Sequence, residues 1–127
     1  MQSVNELSAG TLAFVGDAVY GLLVREKLAD TPRKSGDLHS VSVKLVNASA
    51  QSKAYELIKD MLSETEVAMF KRGRNLHTSN TPKNSTKGEY HTATGLEALF
   101  GYLHLDGQDT RVRELFNKIW ENFKENL

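Results

Sequence analysis

Apolar residues recur at helical intervals along nearly the whole chain, and almost no stretch alternates with period two. Leu12, Val15, Val19, Leu22 and Leu23 form the first stripe, which predicts a helix from about Ser8 or Gly10 to about Leu28. Thr31-Pro32 ends it, because a residue before proline is pushed out of the α region. A second helical region is predicted from Asp37, read as its N-cap, to about Met61, with Leu38, Val41, Leu45, Ala54, Leu57, Ile58 and Met61 inward and a kink or split at Asn47-Ala48-Ser49. Ser63 and Glu66 have the spacing of a capping box, opening a short helix with Val67 and Phe70 that Gly73 is placed to stop. Arg74 to about Tyr90 is rich in Asn, Thr, Ser, Lys and Gly and reads as a long loop. A helix from about Thr92 to Leu105, broken at Asp106-Gly107, precedes a last one capped by Asp109. There Val112, Leu115, Phe116, Ile119, Trp120 and Phe123 follow the i, i+3, i+4, i+7 pattern of a packing face. The expected fold is all-α, a compact helical bundle in a single domain over residues 1–127 with one long basic loop.

The chain's 127 residues are enough to bury a core without disulfides or structural metal. Cysteine is absent, which excludes a disulfide scaffold, thiolate zinc sites and a cysteine nucleophile, and fits a reducing cytoplasm. Apolar runs such as Leu12 to Val15 are only a few residues long, so no membrane span is expected, and the first ten residues lack the pattern of a secretory signal.

Two carboxylates stand out against their surroundings. Asp17 lies in the most apolar part of the chain, with Ala13, Phe14, Tyr20 and Gly21 as its helical neighbours. Glu97 shares its face with Thr94, Ala98 and Gly101. A charge in such a setting is costly unless it is paired, hydrogen-bonded or metal-bound. If two helices crossed at the small residues Gly16 and Gly101, these acids would meet, and a divalent cation would relieve their repulsion. Hard oxygen ligands without cysteine favour Mg²⁺, with Mn²⁺ as a substitute, over zinc.

Net charge is zero, which argues against binding nucleic acid through bulk charge. The distribution alters that picture. Residues 67–88 hold five basic side chains (Lys71, Arg72, Arg74, Lys83 and Lys87) and no acidic one, leaving 11 basic and 16 acidic residues elsewhere. A local charge of +5 with Asn, Ser, Thr and Gly donors suits a phosphate backbone. The histidines at 39, 77, 91 and 104 have no zinc-binding spacing; His104 reads as a partly buried helix residue. No Ser/His/Asp arrangement, Gly-x-Ser-x-Gly elbow or Walker-type loop is present.

Leu12-Ala-Phe-Val-Gly-Asp-Ala-Val-Tyr20 resembles the signature helix of the ribonuclease III catalytic domain. Asp37-Leu38-His39, Lys71-Arg-Gly-Arg-Asn75, Thr81-Pro-Lys-Asn84 and Thr94-Gly-Leu-Glu-Ala-Leu-Phe-Gly-Tyr102 follow in the family's order, from about Gly10 to about Asp106. The chain is most similar in kind to the mini-ribonuclease III branch, which lacks an appended double-stranded RNA-binding domain. Asp17 and Glu97 match the family's signature aspartate and later glutamate. Gly10 and Ala13 stand where ordinary members carry glutamates, and Thr94 where they carry an aspartate; Asp37 is the nearest match to a further acid at the start of the second helix.

The resemblance implies a homodimeric, Mg²⁺-dependent endoribonuclease that cuts double-stranded RNA to 5′-phosphate and 3′-hydroxyl ends. It implies precursor 23S ribosomal RNA as substrate and leaves room for a large-subunit ribosomal protein as partner. Asp17 and Glu97 would hold the metal. Lys71, Arg72, Arg74, Asn75, Lys83 and Asn84 would contact RNA, whose A-form duplex is recognised mainly by shape. The alternatives are a catalytically inactive RNA-binding protein with the same fold and a helical adaptor without nucleic acid, for which Asp17 and Glu97 would lie apart or exposed.

Overall fold

The computed structural model describes residues 3–76 and 86–127. Among them run six α-helices: α1 (Ala9–Ala29), α2 (Ser35–Val46), α3 (Ala48–Ile58), α4 (Glu64–Arg74), α5 (Lys87–Leu105) and α6 (Asp109–Phe123). Single 3-10 turns lie at Val4–Glu6, Lys59–Met61 and Lys124–Asn126, and no strand occurs among the described residues. The expected all-α bundle is what forms, and no described helix is long and apolar enough to cross a membrane.

The capping chemistry explains most of the boundaries. Ser8 accepts the backbone N–H of Thr11 and starts α1. Asn47 accepts from the Ala50 N–H at 2.8 Å, so the expected split becomes a clean break between α2 and α3. The Ser63–Glu66 box forms in both directions. A second box, Thr86 with Glu89, opens α5 five residues before the expected start at Thr92, because a reciprocal cap outweighs the polar composition of Lys87–Tyr90. Two expected caps are corrected. Lys34 and Gln108, without side-chain cap bonds, precede α2 and α6, while Asp37 and Asp109 sit inside the first turns, where a carboxylate favours the helix dipole. Gly107 leaves α5 in a left-handed conformation, φ 76°.

Helix α5 is the axis of the molecule, packed by α1, α3, α4 and α6. Residues 93–96 and 98–103 are all buried, so only Glu97 interrupts the run. The Tyr20 ring sets its edge against Phe100 and Phe116, each at 5.5 Å between centroids. Tyr55 stacks flat on Phe70 at 3.8 Å. Helix α6 delivers Val112, Leu115, Phe116, Ile119 and Phe123 to this core, as its stripe requires. Each such fully buried side chain contributes about 1.5–3 kcal/mol relative to exposure.

Several inward assignments do not hold. Leu22 and Met61 are exposed, and His104 is exposed rather than partly buried. Gly73 does not stop α4. It lies inside the helix where α5 passes: a Cβ there would stand 2.6 Å from the Ala98 Cβ and 2.8 Å from the Thr94 carbonyl oxygen.

Candidate active site

The site begins with a backbone crossing. Helices α1 and α5 meet so closely at Gly16 and Gly101 that no side chain fits between them. A Cβ on Gly16 would fall 1.6 Å from the Glu97 carbonyl oxygen, and one on Gly101 would fall 1.9 Å from the Leu12 carbonyl oxygen. The residue after Gly16 is Asp17, and Glu97 precedes Gly101 by one helical turn. The crossing therefore delivers the two acids to one place.

Asp17 is exposed and Glu97 half-buried. The apolar setting of Asp17 divides into two parts: Ala13, Tyr20 and Gly21 face the core, while Phe14 faces solvent at 80% exposure. Burial raises the Glu97 carboxyl to about 8, and the Asp17 charge pushes the same way. In its protonated form Glu97 is within hydrogen-bonding reach of Asp17. Gln51 on α3, 3% exposed, donates its Nε2–H to the Glu97 Oε2 at 3.5 Å and opposes the rise. The buried Tyr20 hydroxyl has no hydrogen-bond partner; burial raises its pKa most, and the Glu97 charge adds to that.

Sequence reasoning missed Gln51 and Tyr20. Tyr20 stands in the quoted signature but reads as core, and Gln51 is a neutral side chain in a polar-looking helix. The signal for Gln51 is its register: it shares a helical face with Ala54 and Ile58, both fully buried.

Among the described residues no third acid joins the pair in a metal-holding group. Ala13 is buried, and buried Thr94 donates its hydroxyl to the Tyr90 carbonyl at 3.0 Å. Among the described residues no cluster of three or more His, Cys, Asp and Glu side chains could enclose a metal. The donor set still suits a hard cation. Mg²⁺ is commonly held by one or two carboxylates and keeps several waters, and the penalty on the Glu97 charge is what a cation would relieve.

The basic residues at the end of α4 fall into two groups. Lys71, Arg74 and Asn75 are exposed; Arg74 bonds the Asn75 side chain and lies 5.9 Å over the Phe70 ring. Arg72 turns inward, donating to the Leu7 carbonyl at 2.6 Å and approaching the Met69 sulfur at 3.5 Å. Lys83 and Asn84, and with them His77 and Thr81, lie outside the described residues.

A Ribonuclease III domain profile matches residues 10–108, a span that includes both helices of the crossing. The chain belongs to the ribonuclease III family. It is 43% identical over 115 residues to a Mini-ribonuclease 3 of Thermoanaerobacter sp., covering 90% of this chain and 81% of that one. It is 39% identical to a Mini-ribonuclease 3 of Enterococcus faecalis, covering 92% and 91% of the two chains. A crystal structure of a Fusobacterium nucleatum protein superposes with a TM-score of 0.85 at 29% identity, over 100% of both chains. Membership in this family makes the chain an endoribonuclease, and the mini-ribonuclease branch is the one its relatives name.

Proposed function

We propose that this endoribonuclease hydrolyses double-stranded RNA with Mg²⁺ held by Asp17 and Glu97, and that its substrate is precursor 23S ribosomal RNA during maturation. The observation that carries this reading is the convergence of the two carboxyls at the Gly16–Gly101 crossing, with the Glu97 charge left uncompensated. Mn²⁺ would substitute for Mg²⁺, since both prefer oxygen ligands. When bound, the cation would lower the pKa of an attacking water and stabilise charge on the scissile phosphate. Asp17, exposed, faces incoming substrate; Glu97 is held from behind by Gln51, which fixes the direction of its carboxylate. Lys71, Arg74 and Asn75 would grip the RNA backbone from the exposed end of α4, with Arg72 adding its charge beneath them and Lys83 and Asn84 extending the contact.

The active form would be a homodimer. Phe14, Ala18 and Leu22 lie at successive i, i+4 positions on α1, all exposed, Phe14 by 80% and Leu22 by 58%. An exposed apolar ridge beside Asp17 suits self-complementary burial about a two-fold axis, which would place two carboxylate pairs near one duplex. A large-subunit ribosomal protein is a further candidate partner in shaping the substrate.

The test is Asp17→Asn assayed on duplex RNA with Mg²⁺ and with EDTA. Cleavage is expected to vanish while the melting temperature in EDTA does not fall, since Asp17 is exposed. Wild-type cleavage rates in that variant would refute the site. The sparse ligand set favours one second reading, an inactive RNA-binding protein. That reading requires the unmodified protein to bind duplex RNA without cutting it in either Mg²⁺ or Mn²⁺.

A further inference from the structure

A second cluster of charge lies around α3 from the carboxylates. Between the end of α2, the start of α3 and the last turns of the chain is an open cleft of about 640 Å³. Its charged side chains are Arg33, Lys44 and Lys53; no Asp or Glu lines it, and the Leu127 carboxylate, which is in no ion pair of the described residues, is the negative group among its lining residues. None of the three cations is among the ion pairs of the described residues, and residues 77–85 contain no acid that could pair with them. The Arg33 Nε is buried and has no hydrogen-bond partner. Asn47, Asn122 and Asn126 add carboxamides to the wall. Glu89 lies near enough to Lys53 to feel its charge, but its carboxylate is taken by the Thr86 backbone N–H and the Ser49 hydroxyl.

Three cations outnumber the one carboxylate around this cleft, an excess that a bound anion would relieve. A neighbouring groove shares Arg33 and adds Lys27, Lys34 and Lys124, but there Asp30 and Asp37 offset half of the charge. Lys44 and Lys53 are exposed, so their ammonium groups are free to meet a large ligand. Lys53 and Gln51 stand about 3 Å apart along the α3 axis, Gln51 turned to Glu97 and Lys53 to the cleft. The cleft thus lies across α3 from the carboxylates, on the far side of a helix about 10 Å wide with its side chains.

We infer that this cleft binds backbone phosphates of the RNA substrate outside the cleaved step, with Arg33, Lys44 and Lys53 as ligands. The inference rests on the proposed double-stranded RNA substrate. The site would add affinity and orientation without reading sequence, as phosphate contacts do. It also supplies a second grip that zero net charge conceals.

The experiment uses Lys44→Gln/Lys53→Gln in the full chain, with Lys59→Gln/Lys118→Gln as a control removing equal charge elsewhere. Duplex RNA binding is measured in EDTA, which prevents cleavage, over a series of salt concentrations. Loss of two phosphate contacts is expected to lower the slope of log affinity against log salt by about two, with the control slope unchanged. Inorganic phosphate, titrated by NMR against backbone amides of α3, separates a small-anion pocket from an RNA contact. An unchanged salt slope in the cleft variant overturns the inference, and does so whether or not phosphate binds. An equal fall in the control overturns it too, because the effect would then be bulk charge. If the unmodified protein neither binds nor cuts duplex RNA, the substrate reading itself fails; if it does both and only the cleft variant behaves as wild type, this inference alone fails.

Discussion

Glu66 and Glu97 sit on adjacent packed helices, yet Glu66 meets a cation, Arg111, while Glu97 meets the neutral Gln51 and a second acid, Asp17. Glu66, 5% exposed, receives Nε–H and Nη–H donors from Arg111 at 2.8 and 2.9 Å, and the Ser63 backbone N–H at 2.8 Å. The Arg111 bond holds its carboxyl below the usual range. Arg111 in turn reaches the Met61 carbonyl at 2.7 Å and pairs with Glu114, closing α4 onto α6. Glu97 has a second acid beside it and one amide behind it, and its carboxyl is pushed up to about 8. A buried acid with its counter-charge supplied by the chain serves the fold. A buried acid left short of counter-charge is a place for one from outside.

The largest expected effect is on cleavage. Glu97→Gln should reduce the rate at least about a thousandfold, on the scale of losing a principal electrostatic contact in the transition state, while metal-free protein at pH 8 melts at the same or a higher temperature because the repulsion with Asp17 is gone. A measurable drop in melting temperature would mean that Glu97 is structural after all. Glu66→Ala should do the reverse. Arg111 then keeps only Glu114 and the Met61 carbonyl, and breaking its buried half is expected to cost about 3 kcal/mol, lowering the melting temperature by about 10 °C for a chain of this size, with cleavage per folded molecule retained in the cold.

The two acids should also separate by pH. Glu97 titrates higher in the folded than in the unfolded chain, so its contribution is fully present below the unfolded carboxyl range near 4.3 and is lost as pH rises through about 8. Glu66 is lowered, so its contribution is present above the unfolded range and is lost as pH falls through its folded value. Chemical denaturation of metal-free protein from pH 5 to 8 should show declining stability that Glu97→Gln flattens and Glu66→Gln does not. The smallest effect is expected from Gln51→Leu. It should raise the Mg²⁺ concentration needed for half-maximal cleavage roughly tenfold, the scale of losing a residue that orients a metal ligand. Titration of Mg²⁺ at fixed RNA checks it, and an unchanged requirement would mean that Gln51 only fills space.

Much of this was legible because it is written in local chemistry. The Ser63–Glu66 box, the α6 stripe and the improbable placement of Glu97 each follow from residue type and spacing, whereas Asp17, read as lying on an apolar face, is exposed. The meeting of those acids was legible only through glycine: Gly16 and Gly101 mark where helices are able to touch, not that they do. Features set by tertiary packing were opaque. Gly73 looks like a helix stop, but its role depends on α5 passing beside it. Arg72 reads as one more cation for RNA, yet the Leu7 carbonyl lies 65 positions away in sequence. Gln51 carries no charge to mark it, and only burial against α5 gives it significance.

The α1–α5 crossing works as a caliper. Peptide groups, not side chains, are in contact there, so the spacing of the backbones that carry the two carboxylates is set when the core closes. A cation bound at that spacing would favour the folded state, and every increment of its affinity would return as resistance to unfolding. In this chain, thermal tolerance should therefore rise and fall with the supply of divalent cation.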